Sequence, residues 1–324
     1  MIHITRRGAL LGAGVGLLAT RATRAAGYPA RPVRIIVPFA PAGPTDIMAR
    51  VVAAHLGDEM GGSFIVENRA GAGGNIGASV AAHAEPDGYT LLVDSSSIVV
   101  NPGLYKKVPY DIHADFAPLV ELGASPNIIF TNAQTGIKSI ADLIARAKAD
   151  PNALSYGSAG IGTTPHLSGE LLKFKAGIQM THVPFGGAGP AMQAVLSNTI
   201  PLAVVSLPPT LPFLKSGQLI GLGVTGKARW PDLPDVATMV ELGFPGFITD
   251  TFQALFAPAK TPQPIQDALV AATLKLLANP EVADTLHKGG FEVIAHGPQP
   301  FLQRINEELP MWRELIARSG IEPI

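Results

Sequence analysis

The chain has 324 residues, a formal net charge of −1 and no cysteine. That length allows about two domains of roughly 150 residues each. Disulfides, zinc–thiolate sites and cysteine nucleophiles are excluded, and so is a globally basic nucleic-acid binder. With 47% hydrophobic and only 15% charged residues, the chain has enough apolar surface to bury, so disorder is excluded as its main state. Its 35 glycines and 29 prolines imply many tight turns between short elements.

The N-terminus reads as an export signal. Arg6-Arg7 precede an apolar run over 8–20, too short to span a bilayer, which takes about 20 residues. Thr23-Arg24-Ala25 supplies small residues for cleavage after Ala25, and the arginine pair resembles a twin-arginine signal. Residues 1–25 contain four arginines and no acid, so the cleaved chain keeps 20 basic and 25 acidic residues, a net charge of −5. A periplasmic, untethered protein is expected.

From there the pattern repeats strand, loop, helix. A strand at 34–37 ends at Pro38, and the loop Phe39-Ala40-Pro41-Ala42-Gly43-Pro44-Thr45 leads into a helix over 46–60 with Ile47, Val51, Val52 and Leu56 on one face. A short strand at 63–67, a glycine turn at 71–74, a helix over 75–83 and a strand at 89–93 follow, then Asp94-Ser95-Ser96-Ser97. A second unit begins near Pro126. It has strands at 127–131, 154–156, 180–183 and 202–205 and helices starting at Ser139, Pro165 and Pro190, with Thr164 expected as the N-cap before Pro165. The remainder reads as strands at 219–225 and 251–257 and helices over 264–278, 281–288 and 298–318. Alternating strands and helices predict an α/β fold with a parallel-rich sheet. Crossings near Pro126 and Gly223 divide it into residues 27–125 with 224–324, and residues 126–223.

Catalytic and cofactor motifs are missing. Gly221-Leu222-Gly223-Val224-Thr225-Gly226 spells a dinucleotide fingerprint, but Lys227-Ala228-Arg229-Trp230-Pro231 cannot open the helix that such a site requires. No nucleophile elbow exists, the eight histidines form no i,i+4 pair, and no paired carboxylates mark a site. No catalytic residue, metal or cofactor is expected. His166, in the first turn of a helix after a glycine-rich loop, reads either as a ligand contact or as a hydrogen bond within that loop. Asp46 reads as the cap of the first helix or as a contact to ligand or water.

One device recurs. Loops 39–46, 157–166 and 185–190 each feed a helix start, where unpaired amides and about half a positive charge favour anions without any arginine. Thr45, Ser158 and Thr163, with Ser96 and Ser206, are the hydroxyl donors expected there.

These residues also carry a resemblance. Val37-Pro38-Phe39-Ala40-Pro41-Ala42-Gly43-Pro44-Thr45-Asp46, Val66-Glu67-Asn68-Arg69-Ala70-Gly71-Ala72-Gly73-Gly74-Asn75-Ile76-Gly77 and Pro86-Asp87-Gly88-Tyr89-Thr90 resemble the substrate-binding proteins of tripartite tricarboxylate transporters, the Bug family. So do Tyr156-Gly157-Ser158-Ala159-Gly160, His182-Val183-Pro184-Phe185 and Leu255-Phe256-Ala257-Pro258. The resemblance implies a two-lobed periplasmic binding protein of type II with a ligand cleft between lobes. It implies a small carboxylate ligand and delivery to a large and a small integral membrane subunit. The chain is expected to act as a monomer that binds no nucleic acid. Ligand contacts are expected from Phe39, Ala42, Gly43, Thr45, Asp46 and Ser96 in one lobe. Ser158, Ala159, Gly160, Thr163, His166, Phe185 and Ser206 are expected from the other, with Asp250 on the hinge side. The family's Gly-Gly in the first loop is Ala42-Gly43 here, its Leu-Gly-Gly and Asp segment is Leu196 to Pro201, and an Asp common one strand later is Val205. A sensor for a membrane kinase and, less readily, an exported α/β hydrolase are the alternative readings.

Overall fold

The computed structural model describes residues 27–318; the expected export signal lies outside them. In chain order the first elements are β1 (Val33–Val37), α1 (Pro44–Met60), β2 (Phe64–Asn68), α2 (Asn75–Ala82), β3 (Thr90–Ser95), α3 (Ser97–Leu104) and β4 (Phe116–Thr131). Then come α4 (Ile140–Ala149), β5 (Ser155–Ser158), α5 (Thr164–Ala176), β6 (Thr181–Pro184), α6 (Ala188–Leu196), β7 (Leu202–Ser206), α7 (Leu211–Lys215) and β8 (Ile220–Val224). The chain closes with β9 (Asp250–Pro258), α8 (Gln263–Leu277), α9 (Pro280–Lys288), β10 (Glu292–His296) and α10 (Pro298–Arg318).

The strands form a mixed, two-lobed α/β arrangement. In the first lobe β1 runs parallel to β2 and β3, and β9 lies antiparallel between β3 and β4. In the second, β5 runs parallel to β6 and β7, while β7 and β8 flank the end of β4 antiparallel. The two strand sets are not separate sheets, because the 16-residue β4 belongs to both: residues 116–126 pair with β9 and residues 127–131 with β7 and β8. Strand β1 is an apolar run because both of its faces are covered by helices; Ile35, Ile36 and Val37 are fully buried.

Each lobe has apolar clusters on either side of its strands. Val37, Met48, Leu56 and Leu269 pack on one face of the first lobe, and Ile36, Leu92, Phe252, Phe256 and Phe301 on the other. In the second, Phe130, Val205, Trp230 and Leu233 oppose Ile129, Tyr156, Met239 and Phe247. Trp230, Leu233, Met239 and Phe247 thus pack with side chains from residues 126–223. Gly223 itself lies inside β8.

Helix α3 is absent from the sequence reading. Ile98-Val99-Val100 is β-branched and the N-cap Ser96 makes no side-chain capping bond, yet residues 97–100 are all buried and the helix packs on α10. Packing overrides propensity here. Pro102 inside the helix leaves the Ile98 carbonyl without its usual donor, and the Tyr110 hydroxyl donates to that carbonyl at 3.3 Å.

Candidate functional site

Loops that follow β1, β5 and β6 all lie at strand C-terminal ends, where α/β folds place ligands. The Pro–Gly–Ser/Thr chemistry at these junctions sets each helix start. Gly43 is the N-cap of α1 with Pro44 at N1, Thr163 caps α5 with Pro165 behind it, and Gly187 caps α6. The N-cap of α5 is thus Thr163 and not Thr164, which is already helical. At these starts the amides of Thr45, Asp46, Thr164, Ala188 and Gly189 have no carbonyl one turn back, while Pro44, Pro165 and Pro190 carry no N–H at all.

The three helix starts converge on a small cavity of about 20 Å³, the space of about one water. Gly43, Pro44 and Thr45 line it from α1, Thr163 and Pro165 from α5, and Ala188 from α6. Phe39, Ala159 and Ser206 complete what the sequence reading named. Ser95 and Thr251 are lining residues outside the loops that it named. The lobes are shut across this cavity. Ala40 N–H donates to Gly186 O at 2.9 Å, the Tyr105 hydroxyl to Ile161 O at 3.2 Å, and Thr164 and Thr251 join their hydroxyls.

The remaining named residues support the loops or lie elsewhere. Asp46 is not an N-cap: it sits at the third helical position, and its carboxylate accepts from Ala42 N–H (3.0 Å), Arg50 (2.9 Å) and Asn68 (2.9 Å). Burial raises its pKa, but the hydrogen bonds from Arg50, Asn68 and Ala42 prevail and hold it below the usual carboxylate range. Ala42 adopts φ 63°, the left-handed conformation that glycine enters freely. An alanine there costs about 1 kcal/mol, which the Asp46 anchor offsets. Asn68 fixes the same loop by donating to Phe39 O at 3.0 Å.

In the second lobe the Thr163 hydroxyl donates to Gly160 O at 2.7 Å and accepts from His166 N–H. His166 Nδ1 accepts from Gly162 N–H at 3.4 Å, so this histidine fastens its own loop. Ser158 Oγ accepts from Gly160 N–H and lies 2.7 Å from His182 Nε2. Both imidazoles stack, 4.3 Å between centroids, and burial pushes His166 down to about 4 and His182 to about 3. Ser96 Oγ accepts from Phe252 N–H, pinning β3 to β9 rather than lining the cavity. Asp250 is exposed, pairs with Arg304 at 3.0 Å and lies outside the cavity. Gly160 and Phe185 line a neighbouring space on the far side of Phe39.

Beneath the cavity two further buried groups escaped the sequence reading. Asn127 joins the lobes: its Oδ1 accepts from Thr251 (2.9 Å) and Ser206 (3.4 Å), and its amide donates to Ser168 and Thr249. Asp94 precedes Ser95 and is fully buried, and burial pushes its carboxyl up to about 7 against hydrogen bonds from Ser95 N–H and Ser97 Oγ.

Comparison with known proteins identifies this architecture. The sequence profile described as tripartite tricarboxylate transporter family receptor matches residues 48–321. The chain belongs to this family. Protein BugT of Bordetella pertussis is 34% identical to the receptor over 295 residues, 90% of each chain. The periplasmic binding protein BugD superposes with a TM-score of 0.88 at 33% identity, covering 91% of this receptor and 99% of BugD. R. palustris Rpa4515 with adipate gives 0.88 at 34% identity, covering 92% and 100%. The receptor is thus a Bug-family solute-binding protein, and among its described residues no helix is long and apolar enough to cross a membrane.

Proposed function

We propose that this receptor is a periplasmic protein that binds a small carboxylate between its lobes and delivers it to the large and small membrane subunits of a tripartite tricarboxylate-type transporter. The supporting observation is the convergence of three helix starts on one small cavity without any Lys or Arg among the lining residues. The adipate bound by its R. palustris relative points to the same ligand class. The same proposal has the receptor act as a monomer. The lobes meet at Pro126 and at Thr249–Asp250 in this reading, since Asp250 pairs with Pro126 and the preceding residues pack in the second core. Export through the signal over 1–25, by the twin-arginine route and with cleavage near Ala25, belongs to the same proposal.

The Ser158–His182 contact favours the hydrolase alternative in distance alone. His182, pushed down to about 3, is too weak a base to activate a serine at neutral pH. Ser158 is fully buried, and its oxygen is engaged by Gly160 N–H. We therefore read the pair as structural and the protein as a receptor. Mass spectrometry of small molecules released from the purified, denatured protein tests this, backed by thermal shift with carboxylates. A carboxylate released intact, and raising the melting temperature when added back, supports the proposal; turnover of that carboxylate, or stabilisation by none, refutes it.

A further inference from the structure

Asn127 is fully buried where β4 passes from one set of strands to the other, and it does not line the cavity. The hydrogen bonds around it admit one order of protons. Ser168, inside α5, donates its only proton to Thr164 O at 2.8 Å, which leaves its oxygen with lone pairs alone. The atom of the Asn127 side chain 3.1 Å from that oxygen must therefore be the amide nitrogen, and the Thr249 hydroxyl at 2.8 Å must donate to it as well. Thr249 in turn accepts the second amide proton at 3.2 Å. Asn127 Oδ1 then faces the other way, where it accepts from Thr251 at 2.9 Å and from Ser206 at 3.4 Å. With its own proton given to Asn127, Thr251 can only accept from the Thr164 hydroxyl beside it. Both protons and both lone pairs of the amide are in use.

We propose that Asn127 is a positioning residue for ligand binding, which sets how much of the receptor is closed. Thr251 belongs to β9 of the first lobe, and Thr164 and Ser168 to α5 of the second. One rigid, planar amide holds Thr251 with its oxygen and α5, through Ser168, with its nitrogen, and so fixes the spacing at which Thr164 reaches Thr251. This rests on reading the cleft as the ligand site. Apparent affinity scales with the fraction of receptor in the competent form, so a residue that touches no ligand governs how tightly the cleft binds. The order of protons makes the role specific to asparagine. Aspartate has nearly the same shape and accepts from Thr251 and Ser206 in the same way, but it has no proton for Ser168 or Thr249 and meets their lone pairs with an oxygen.

Distances between spin labels, measured by double electron–electron resonance on the purified receptor, test this. The chain has no cysteine, so Lys107→Cys in the first lobe and Gln193→Cys in the second, both at exposed positions, label selectively. Distances are recorded without ligand and with adipate, malate, citrate or benzoate. Asn127→Asp is expected to lower the closed-to-open ratio by about tenfold or more, through donors lost from buried acceptors. Ser168→Ala removes the oxygen that orients the amide and keeps a good helix former in α5; it is expected to act in the same direction. The double variant should lose no more than Asn127→Asp alone, since the two residues share one network. A distance distribution in Asn127→Asp identical to the parent's, even with a lower melting temperature, shows that Asn127 only supports the fold and overturns the proposal; additive losses do so too. If Asn127→Asp does not fold, Ser168→Ala decides by the same distances. If no acid moves the labels of the parent, the carboxylate reading fails, while the ligand-free distances of parent and variants still decide the role of Asn127. A parent that is open under every condition overturns both.

Discussion

Gly73→Ala separates closure from folding. Gly73 has φ +61°, and a Cβ built on it falls 2.0 Å from Ile161 O, where contacts under 3.0 Å are essentially never found. Since the obstacle is backbone from the facing lobe, the two loops must part by about an ångström. That displacement stretches two bonds across the cleft, Ala40 N–H to Gly186 O at 2.9 Å and Tyr105 Oη to Ile161 O at 3.2 Å. A net contribution of about 1 kcal/mol each makes roughly 2 kcal/mol, and at about 1.4 kcal/mol per decade affinity falls about thirtyfold. The left-handed strain, about 1 kcal/mol, acts in the open and closed forms alike, so it lowers the melting temperature without entering the binding constant. Gly136→Ala is the control: φ is +72° with nothing within 4 Å of a new Cβ, so stability drops by a similar amount and affinity stays. Calorimetric titration with the best-binding carboxylate reads the first effect and urea unfolding the second. Unchanged affinity in Gly73→Ala, or an equal loss in Gly136→Ala, would refute the idea that this contact belongs to the bound state.

Three other substitutions probe the framework of the cleft. Asp46→Ala removes the acceptor shared by Ala42, Arg50 and Asn68; a loss of about 2 kcal/mol in urea unfolding is expected, and an unaltered midpoint would show that the carboxylate does not pin the loop. The stacked histidines make stability depend on pH. Unfolded, each takes a proton near pH 6.5, whereas burial delays this to about 4 for His166 and about 3 for His182. Between those values the unfolded chain binds more protons, so stability falls as pH drops from 6.5 toward 4, by up to about 1.4 kcal/mol per unit for each histidine. His182→Gln should flatten that slope, and an identical slope in the variant counts against the assignment. Gln253 is fully buried, and neither polar atom of its amide has a partner. Gln253→Leu should raise stability by about 1 kcal/mol, read as a higher melting temperature; a lower one would mean that the amide is satisfied by ordered water.

Much of the cleft was legible because helix starts are written locally. Pro44, Pro165 and Pro190, each placed just behind small or hydroxyl residues, announce where α1, α5 and α6 begin, and with them the amides that face the cavity. Contacts between distant segments were not legible. Nothing near Ser158 in the sequence tells that His182 lies beside it, and nothing near Ser96 that Phe252 takes its oxygen. Asp250 read as a hinge-side ligand contact, but Arg304, 54 residues away, holds it on the outer face. Ser95 was passed over for its neighbour Ser96 because the end of β3 was set two residues early, and a shift of one residue turns a strand's side chain to the other face. Strand β10 and the first part of β4 lack strong alternation of their own; pairing across the sheet gives them their conformation.

In the proposed reading the cleft holds an anion in a chain whose formal net charge is −1, and two buried carboxyls, Asp46 and Asp94, neither of which lines the cavity, bear on the field there. Asp46 is neutralised by a cation, Arg50, one turn along α1. Among the described residues Asp94 has no such partner; lying directly before the cavity-lining Ser95, it is pushed up to about 7 by burial, so a proton neutralises it below that pH. A bound carboxylate favours the protonated form further, so binding and protonation of Asp94 are coupled with the same sign. Raising the pH from about 6 to 8.5 therefore places a second negative charge close to the first. At an effective dielectric near 20 and a separation of several ångströms, two unit charges repel by about 2 kcal/mol. Affinity for an acid that is fully ionised throughout this range should then fall by at least tenfold, and isothermal titration in buffers of different ionisation enthalpy should detect proton uptake on binding near pH 7.5. Asp94→Asn keeps an acceptor for Ser95 N–H and Ser97 Oγ but cannot ionise, so its affinity should stay level across the same range. A parent protein whose affinity is flat with pH, or an Asp94→Asn variant that keeps the parent's slope, would show that the charge beneath Ser95 does not reach the ligand.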